Sequence, residues 1–240
     1  MKLSVVIPAF NEENRITKAV SEVTGYLSSK RLEYEIIVVD DGSTDKTVES
    51  VESLKNVNVR VIRSACNMGK GYAVRAGVLA ASGDVVLFTD ADMSTPISEL
   101  DKFLEYARDY PVVVASRNLL ESRITVRQNI VRVTLGRLFS LLVRLLLIRD
   151  IMDTECGFKL FRRDVIPGIF GRQTVNGFAF DVELLLIAKK LGVRIKEVPV
   201  TWKNDVYSKV DLKCHVPQML LEVISVKLND LRGVYDRPAP

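Results

Sequence analysis

Residues 83–96 read Gly83-Asp84-Val85-Val86-Leu87-Phe88-Thr89-Asp90-Ala91-Asp92-Met93-Ser94-Thr95-Pro96. Val85 to Phe88 is continuously apolar, the pattern of a strand buried on both faces of a parallel sheet. Two carboxylates one residue apart, Asp90 and Asp92, follow it. Thr95 and Pro96 have the chemistry of a helix N-cap and first helical position, with Glu99 in the first turn, where the helix dipole favours an anion. The acids therefore fall at the carboxyl end of a strand, where open α/β sheets bind ligands. Alternation along an extended segment sets both on one side, and hard oxygen ligands so placed suit Mg2+ or Mn2+ bridging to phosphate oxygens. An Asp pair after a strand is equally a turn and cap device, so the rest of the chain has to separate the two readings.

Upstream, the same theme recurs. Leu3 to Ile7 is a short apolar strand stopped by Pro8, and Phe10-Asn11-Glu12-Glu13 is a polar loop with one aromatic. Ile16, Ala19, Val20, Val23 and Leu27 lie at helical spacing. Tyr34 to Val39 is a second buried strand, delivering Asp40 and Asp41 to the same sheet edge. Val48, Val51 and Leu54 mark a helix, and Val57 to Ile62 a third strand. Strand, helix, strand, helix, strand with short loops is the signature of a doubly wound sheet. The loop Asn67-Met68-Gly69-Lys70-Gly71 then opens a helix over Tyr72 to Ala81. Its glycines permit close backbone approach, and Lys70 suits a point charge beside a phosphate, although the same residues also make a simple turn. It lacks the Gly-Lys-Ser/Thr ending of a P-loop, and no Gly-x-Gly-x-x-Gly follows the first strand.

Downstream, Leu100, Phe103, Leu104 and Ala107 form a helical stripe, and Val112 to Ala115 a strand ending in Ser116-Arg117. Residues 125–149 form one long helix in this reading, with Arg127, Arg132, Arg137, Arg144 and Arg149 set through an apolar run. Each arginine at a bilayer centre costs about 2.5–3.5 kcal/mol, which disfavours a membrane span. A helix lying in the membrane interface, its arginines reaching lipid phosphates, suits the pattern; so does a core or dimer helix whose arginines meet acids elsewhere. Asp153 to Phe161 passes from an acidic loop into a strand, Asp181 and Glu183 start a helix running to Leu191, Arg194 to Val200 is a last strand, and Leu212 to Leu231 a closing helix.

Composition narrows the function classes. A chain of 240 residues with 48% hydrophobic content supports a full core. The formal net charge of +4 mildly favours an anionic partner. Cys66, Cys156 and Cys214 make neither a disulfide framework nor a zinc spacing, which points to buried thiols in a reducing compartment. A strand starting at Lys2 leaves no room for a signal peptide. The single histidine, His215, argues against hydrolysis by a Ser/His/Asp triad. Arginines alternating with leucines, not with exposed aromatics, argue against a nucleic-acid partner. What remains is Asp40, Asp41, Asp90, Asp92 and Arg117 at strand ends with Lys70 nearby, an arrangement suited to a nucleoside diphosphate held through a divalent ion.

These motifs in order, Val5-Val6-Ile7-Pro8-Ala9-Phe10-Asn11-Glu12-Glu13, Val39-Asp40-Asp41-Gly42-Ser43-Thr44-Asp45, Asn67-Met68-Gly69-Lys70-Gly71 and Asp90-Ala91-Asp92, resemble those of family 2 glycosyltransferases with the GT-A fold. Asp153-Thr154-Glu155-Cys156-Gly157-Phe158-Lys159, Gly177-Phe178-Ala179-Phe180-Asp181-Val182-Glu183 and Trp202 resemble the subgroup acting on polyprenyl or dolichyl phosphate, nearest its dolichyl-phosphate β-glucosyl branch. The resemblance implies an α/β GT-A fold with a mostly parallel central sheet flanked by helices and an amphipathic membrane-surface helix. It divides the chain into a nucleotide-sugar half (1–118), an interfacial helix region (119–152), an acceptor-side half with the closing helix (153–231) and a tail (232–240).

By the same resemblance Pro8, Phe10, Glu12, Asp41, Lys70, Asp90, Ala91 and Asp92 bind a UDP-sugar, and Asp90 and Asp92 hold Mg2+ or Mn2+. Arg117, Arg127 and Arg132 receive the acceptor phosphate, and Asp92, Arg117, Asp153 and Lys209 serve catalysis. Lys209 lies in a likeness of the family's Gly-Ser-Lys-Val loop, with Tyr207 where glycine is usual. The implied reaction is inverting transfer of glucose from UDP-glucose to dolichyl or polyprenyl phosphate at the cytoplasmic face of a membrane. Another nucleotide sugar, a soluble acceptor, or an inactive nucleotide-sugar-binding scaffold are the alternatives at this point.

Overall fold

The structure is a computed structural model that describes residues 1–126, 129–205 and 212–237. Four parallel strands, β1 (Lys2–Ala9), β2 (Glu33–Asp40), β3 (Val59–Arg63) and β4 (Val85–Thr89), are connected through helices α1 (Ile16–Ser29), α2 (Thr47–Glu52) and α3 (Lys70–Ala80). Both faces of the sheet are covered, so alternate side chains enter different cores. Val6, Ile37, Val39, Val86 and Phe88 pack with Ala73, Val74 and Val78 of α3. Leu3, Val5, Ile7, Ile36, Val38 and Leu87 pack with Ile16, Val20, Val23 and Leu27 of α1. That two-sided burial is why these strands are apolar without alternation. Pro8 does not stop β1, which runs on to Ala9. Pairing with β4 ends at Val6, so the missing N–H of Pro8 removes no bond there.

The remaining elements are α4 (Leu100–Tyr106), β5 (Val112–Ser116), β6 (Arg123–Val126), α5 (Ile130–Leu146), β7 (Phe158–Arg162), α6 (Ile166–Phe170), α7 (Phe180–Lys190), β8 (Ile195–Pro199), β9 (Thr201–Lys203) and α8 (Leu212–Leu231). The main sheet has the order β3-β2-β1-β4-β7-β5-β8. It is mixed and mostly parallel: β7 runs antiparallel to both neighbours, and β8 is parallel to β5. Residues on both sides of positions 118 and 153 thus share one sheet.

Three expectations change. The helix at 125–149 is shorter, because Ile124, Thr125 and Val126 are β-branched and belong to β6, which pairs with β9. Thr95 and Pro96 do not cap a helix directly: Pro96 is extended at ψ 142°, a 3-10 turn spans Ile97–Glu99, and α4 follows. Glu99 tethers β9, accepting from the Thr201 N–H at 3.2 Å. Within the tail, Tyr235 is buried and its hydroxyl donates to Glu183 Oε1 at 2.8 Å.

Helix α5 buries Phe139 and Val143 and packs against α8. Its Leu138, Leu141 and Leu145 are exposed, as are Leu221, Ile224, Leu228 and Leu231 along α8. Both sets recur at three- and four-residue steps, so each forms a stripe along its helix. Among the described residues no helix is long and apolar enough to cross a membrane.

Candidate active site

The carboxyl ends of β1, β2, β4 and β5 share one edge of the sheet. Because β7 is reversed, with Phe158 opposite Thr89, its entry loop Asp153–Gly157 comes to that same edge. The loops after β1 and β2 are bound together. Ser43 Oγ accepts from Asn11 N at 2.8 Å, Thr47 Oγ1 from Glu12 N at 2.7 Å, and Asn11 Oδ1 from Thr44 N at 2.8 Å. The Glu12 carboxylate is taken up by Arg15, which also pairs with Asp205. Phe10 stands partly exposed at the rim.

Asp41 is buried, and its two oxygens accept from the N–H groups of Met68 (2.9 Å) and Gly69 (2.8 Å). Burial pushes its pKa up, against the pull of those two N–H groups. Gly69 has φ +104°, and a Cβ there would run into the Asn176 carbonyl, so the loop needs glycine to present its N–H to Asp41. Lys70, the first residue of α3, places Nζ 2.7 Å from Asp90 Oδ1. Burial alone lowers the pKa of Lys70, but Asp90 and, more distantly, Asp181 and Asp92 drive it up. Asp92 accepts from Ser94 N at 2.9 Å, and burial followed by the like charge of Asp90 raises its pKa. Asp90 N donates to the Gly157 carbonyl at 3.2 Å, and a Cβ at Gly157 would collide with the Asp90 carboxylate.

The row of charges continues inward. Lys159 on β7 is fully buried, its Nζ donating to Asp181 Oδ1 at 2.5 Å and to the Cys156 carbonyl at 2.8 Å, 5.2 Å from the Phe88 ring centre. Arg117 grips the buried Asp153 through Nε (2.7 Å) and Nη2 (2.8 Å), while its backbone N–H also reaches Asp153 at 2.8 Å. The guanidinium lies over Trp202, 5.5 Å from the ring centroid. Burial works against the ionised Asp153, but Arg117 beside it holds its pKa below the ordinary value. Glu155 stands 3.9 Å from Arg117 Nη2. Burial pushes its pKa up to about 7, opposed by Arg117 and reinforced by Asp153 and Asp181.

The sequence profile described as Glycosyl transferase family 2 matches residues 4–170. The chain belongs to glycosyltransferase family 2. Among curated relatives, this family 2 chain is 33% identical over 248 residues to the dolichyl-phosphate beta-glucosyltransferase of Dictyostelium discoideum, spanning 97% of this chain and 76% of that protein. It is 34% identical to the Homo sapiens enzyme of the same name, over 98% of this chain and 77% of that protein. The fold matches glucosyl-3-phosphoglycerate synthase from Mycobacterium tuberculosis, solved with Mn2+, uridine-diphosphate and glucosyl-3-phosphoglycerate (TM-score 0.69, 22% identity, 94% of this chain and 79% of that one). It also matches mannosyl-3-phosphoglycerate synthase from Rubrobacter xylanophilus (TM-score 0.73, 18% identity, 96% and 75%).

The family 2 site brings Glu12, Asp41, Lys70, Asp90, Ala91, Asp92, Arg117 and Asp153 to one edge, with Pro8 and Phe10 at its start. Arg132 is in the first turn of α5. Arg127 and Lys209 fall outside the described residues. Asp153 touches Arg117 through both oxygens and has no exposed surface. Glu183 is structural: it accepts from Thr174 N, Val175 N and the Tyr235 hydroxyl. Asp153, Asp181 and Glu183 are candidates from the sequence for orienting sugar or acceptor; roles for Arg15 and Glu155, and the pairing of Lys159 with Asp181, are not legible there. A lysine inside an apolar strand, Phe158-Lys159-Leu160-Phe161, was the available signal, since such a charge requires a buried partner.

Proposed function

We propose that this family 2 transferase moves glucose from UDP-glucose to the phosphate of a polyprenol or dolichol, giving a β-linked lipid phosphoglucose. The observation that carries this is similarity over nearly the whole chain to proteins named dolichyl-phosphate beta-glucosyltransferase. Glu12, Asp41 and Phe10 sit at the nucleoside end of the donor, Asp41 by fixing the Met68–Gly69 backbone as well as through any bond to uracil. Lys70 lies beside the diphosphate.

Asp90 and Asp92 suit Mg2+ or Mn2+. They are hard oxygen donors, and in the linked group the five carboxylates Asp90, Asp92, Asp153, Glu155 and Asp181 outnumber the three cations Lys70, Arg117 and Lys159. Among the described residues no cluster of three metal-ligating side chains occurs; Asp90 and Asp92 would hold the ion, and a bound diphosphate would supply further oxygen ligands. The bound ion supplies charge neutralisation for the departing UDP. Arg117, fixed by Asp153, keeps Nη1 for an acceptor phosphate, with Arg127, Arg132 and Lys209 contributing from α5 and its flanks and from the 206–211 segment. A phosphate oxygen attacks the anomeric carbon as the bond to UDP breaks, inverting that centre. A phosphate monoester is already largely ionised near pH 7, so alignment matters more than a protein base.

The exposed leucines of α5 and α8, with Arg137 and Arg144 on α5, provide a face for peripheral attachment to a cytoplasmic membrane surface. The test is transfer of radiolabelled sugar from UDP- and GDP-sugars into organic-extractable polyprenyl phosphate, with Mg2+, with Mn2+ and with chelator. Metal-dependent labelling of lipid from UDP-glucose is the expected result. Labelling of a water-soluble acceptor with none in the lipid overturns the acceptor assignment.

A further inference from the structure

Glu155 is placed unlike the other acids of the row. Asp153 is satisfied by Arg117, Asp181 by Lys159, Asp90 by Lys70 and Asp92 by Ser94. Glu155 Oε1 is sealed from solvent and accepts no hydrogen bond, and its Oε2 lies 3.9 Å from Arg117, beyond hydrogen-bonding distance. The neighbouring Thr154 hydroxyl, on a residue 2% exposed, is also buried without a partner. Folded proteins rarely leave such groups orphaned, and two on adjacent residues mark a loop that a ligand completes.

The position of the loop says which part of the ligand. Two residues after Glu155, the Gly157 carbonyl accepts from Asp90 N, so the loop abuts the acids after β4. On its other side stands Arg117. In the transfer proposed above, on which this inference rests, donor diphosphate lies at Asp90 and Asp92 and acceptor phosphate at Arg117. The hexosyl group lies between them. A hexose presents O–H donors, which an orphaned carboxylate oxygen complements, whereas either phosphate is an anion that Glu155 repels. We propose that Glu155 accepts a hydrogen bond from a hydroxyl of the transferred hexosyl group and so takes part in selecting the sugar.

The test uses the full chain with Mn2+ and compares the wild type with E155A and with the near-isosteric E155Q, each checked for folding by thermal melting. Calorimetric titration is run with UDP, UDP-glucose and a series of UDP-glucose analogues each lacking one hydroxyl. The expected result is UDP affinity within about twofold across all proteins and UDP-glucose affinity about 10- to 100-fold weaker in E155A. One deoxy analogue should bind the wild type with that same deficit, while E155A no longer distinguishes it from UDP-glucose. If E155A and E155Q rank the analogues as the wild type does while binding UDP normally, the assignment of Glu155 is overturned and the donor reading stands. If the wild type binds no UDP, the donor reading falls and takes this assignment with it.

Discussion

Replacing Asp181 by Asn isolates what holds the site together. Lys159 has no exposed surface, and its ammonium has three neighbours: the Asp181 carboxylate at 2.5 Å, the Cys156 carbonyl at 2.8 Å and the face of Phe88. D181N removes the hydrogen-bonded carboxylate and leaves a buried cation on a carbonyl and a ring, with the unbonded charges of Asp153 and Glu155 acting on it. Breaking a buried pair from one side costs about 3–5 kcal/mol, a third or more of the roughly 5–15 kcal/mol that stabilises a typical domain. K159M is the mirror change: it strands the buried Asp181 with only the field of Lys70, and protonating that carboxylate at pH 7.5 costs about 5 kcal/mol at about 1.4 kcal/mol per unit above its ordinary pKa. The double variant D181N/K159M leaves no unpaired charge, and such replacements are often close to neutral. Urea denaturation of the four proteins at pH 7.5 should therefore give D181N and K159M both well below the wild type, and the double variant nearer the wild type than either single one. A D181N loss below about 1 kcal/mol, or single losses that add up to the double, refutes the claim that this pair is mutually dependent.

Other outcomes follow from the same geometry. G157A drives a methyl into the Asp90 carboxylate and should weaken Mn2+-dependent UDP binding, read by calorimetry, while thermal melting shows a folded protein. Because the Glu155 pKa rises from 4.5 to about 7 on folding, the native state holds a proton that the unfolded state lacks between those values. Its contribution therefore falls as pH rises through that window, by about 3 kcal/mol at most, and is constant above it; urea melts at pH 5 and pH 8 should show the slope in the wild type and a flatter one in E155Q. Chelator should weaken UDP binding about tenfold or more, since the carboxylate excess then faces a diphosphate uncompensated. L141D/L145D changes exposed positions only and should leave the melting temperature nearly unchanged while abolishing cosedimentation with anionic lipid vesicles.

The half of the fold that repeats strand, loop and helix was legible because each strand is buried on two faces and announces itself as an uninterrupted apolar run, as Ile36 to Val39 and Val85 to Phe88 do. Asp41, Lys70, Asp90 and Asp92 could be placed for the same reason, each lying directly after a strand or at a helix start. What periodicity did not carry is pairing between distant segments. Thr125 and Val126 looked like the beginning of a helix because their partner strand, Thr201–Lys203, lies 77 residues away. The reversal of β7 left no local mark either, and with it went the reason for Lys159. Asp153 was recognised through its loop, yet only the folded chain shows that both its oxygens accept from Arg117, with Oδ1 also accepting from the Glu155 N–H.

The reversed strand explains how one edge can serve two anions. In a wholly parallel sheet the loop at that position would leave from a strand's carboxyl end and run on into a helix, as the loop after β4 does. Entering β7 from the same edge, residues 153–157 instead lie flat between the exits of β4 and β5, touching Asp90 through Gly157 and Arg117 through Asp153. The loop thereby spaces a carboxylate pair from a guanidinium. Its own fixed point is Lys159, whose ammonium ties the Cys156 carbonyl to Asp181 at the start of α7. In the transfer proposed above, the donor diphosphate belongs to the carboxylate side of this loop and the acceptor phosphate to the guanidinium side, with Glu155 between them. In that transfer two mutually repelling anions stand on either side of the carbon that is transferred, which is the alignment an inverting displacement requires.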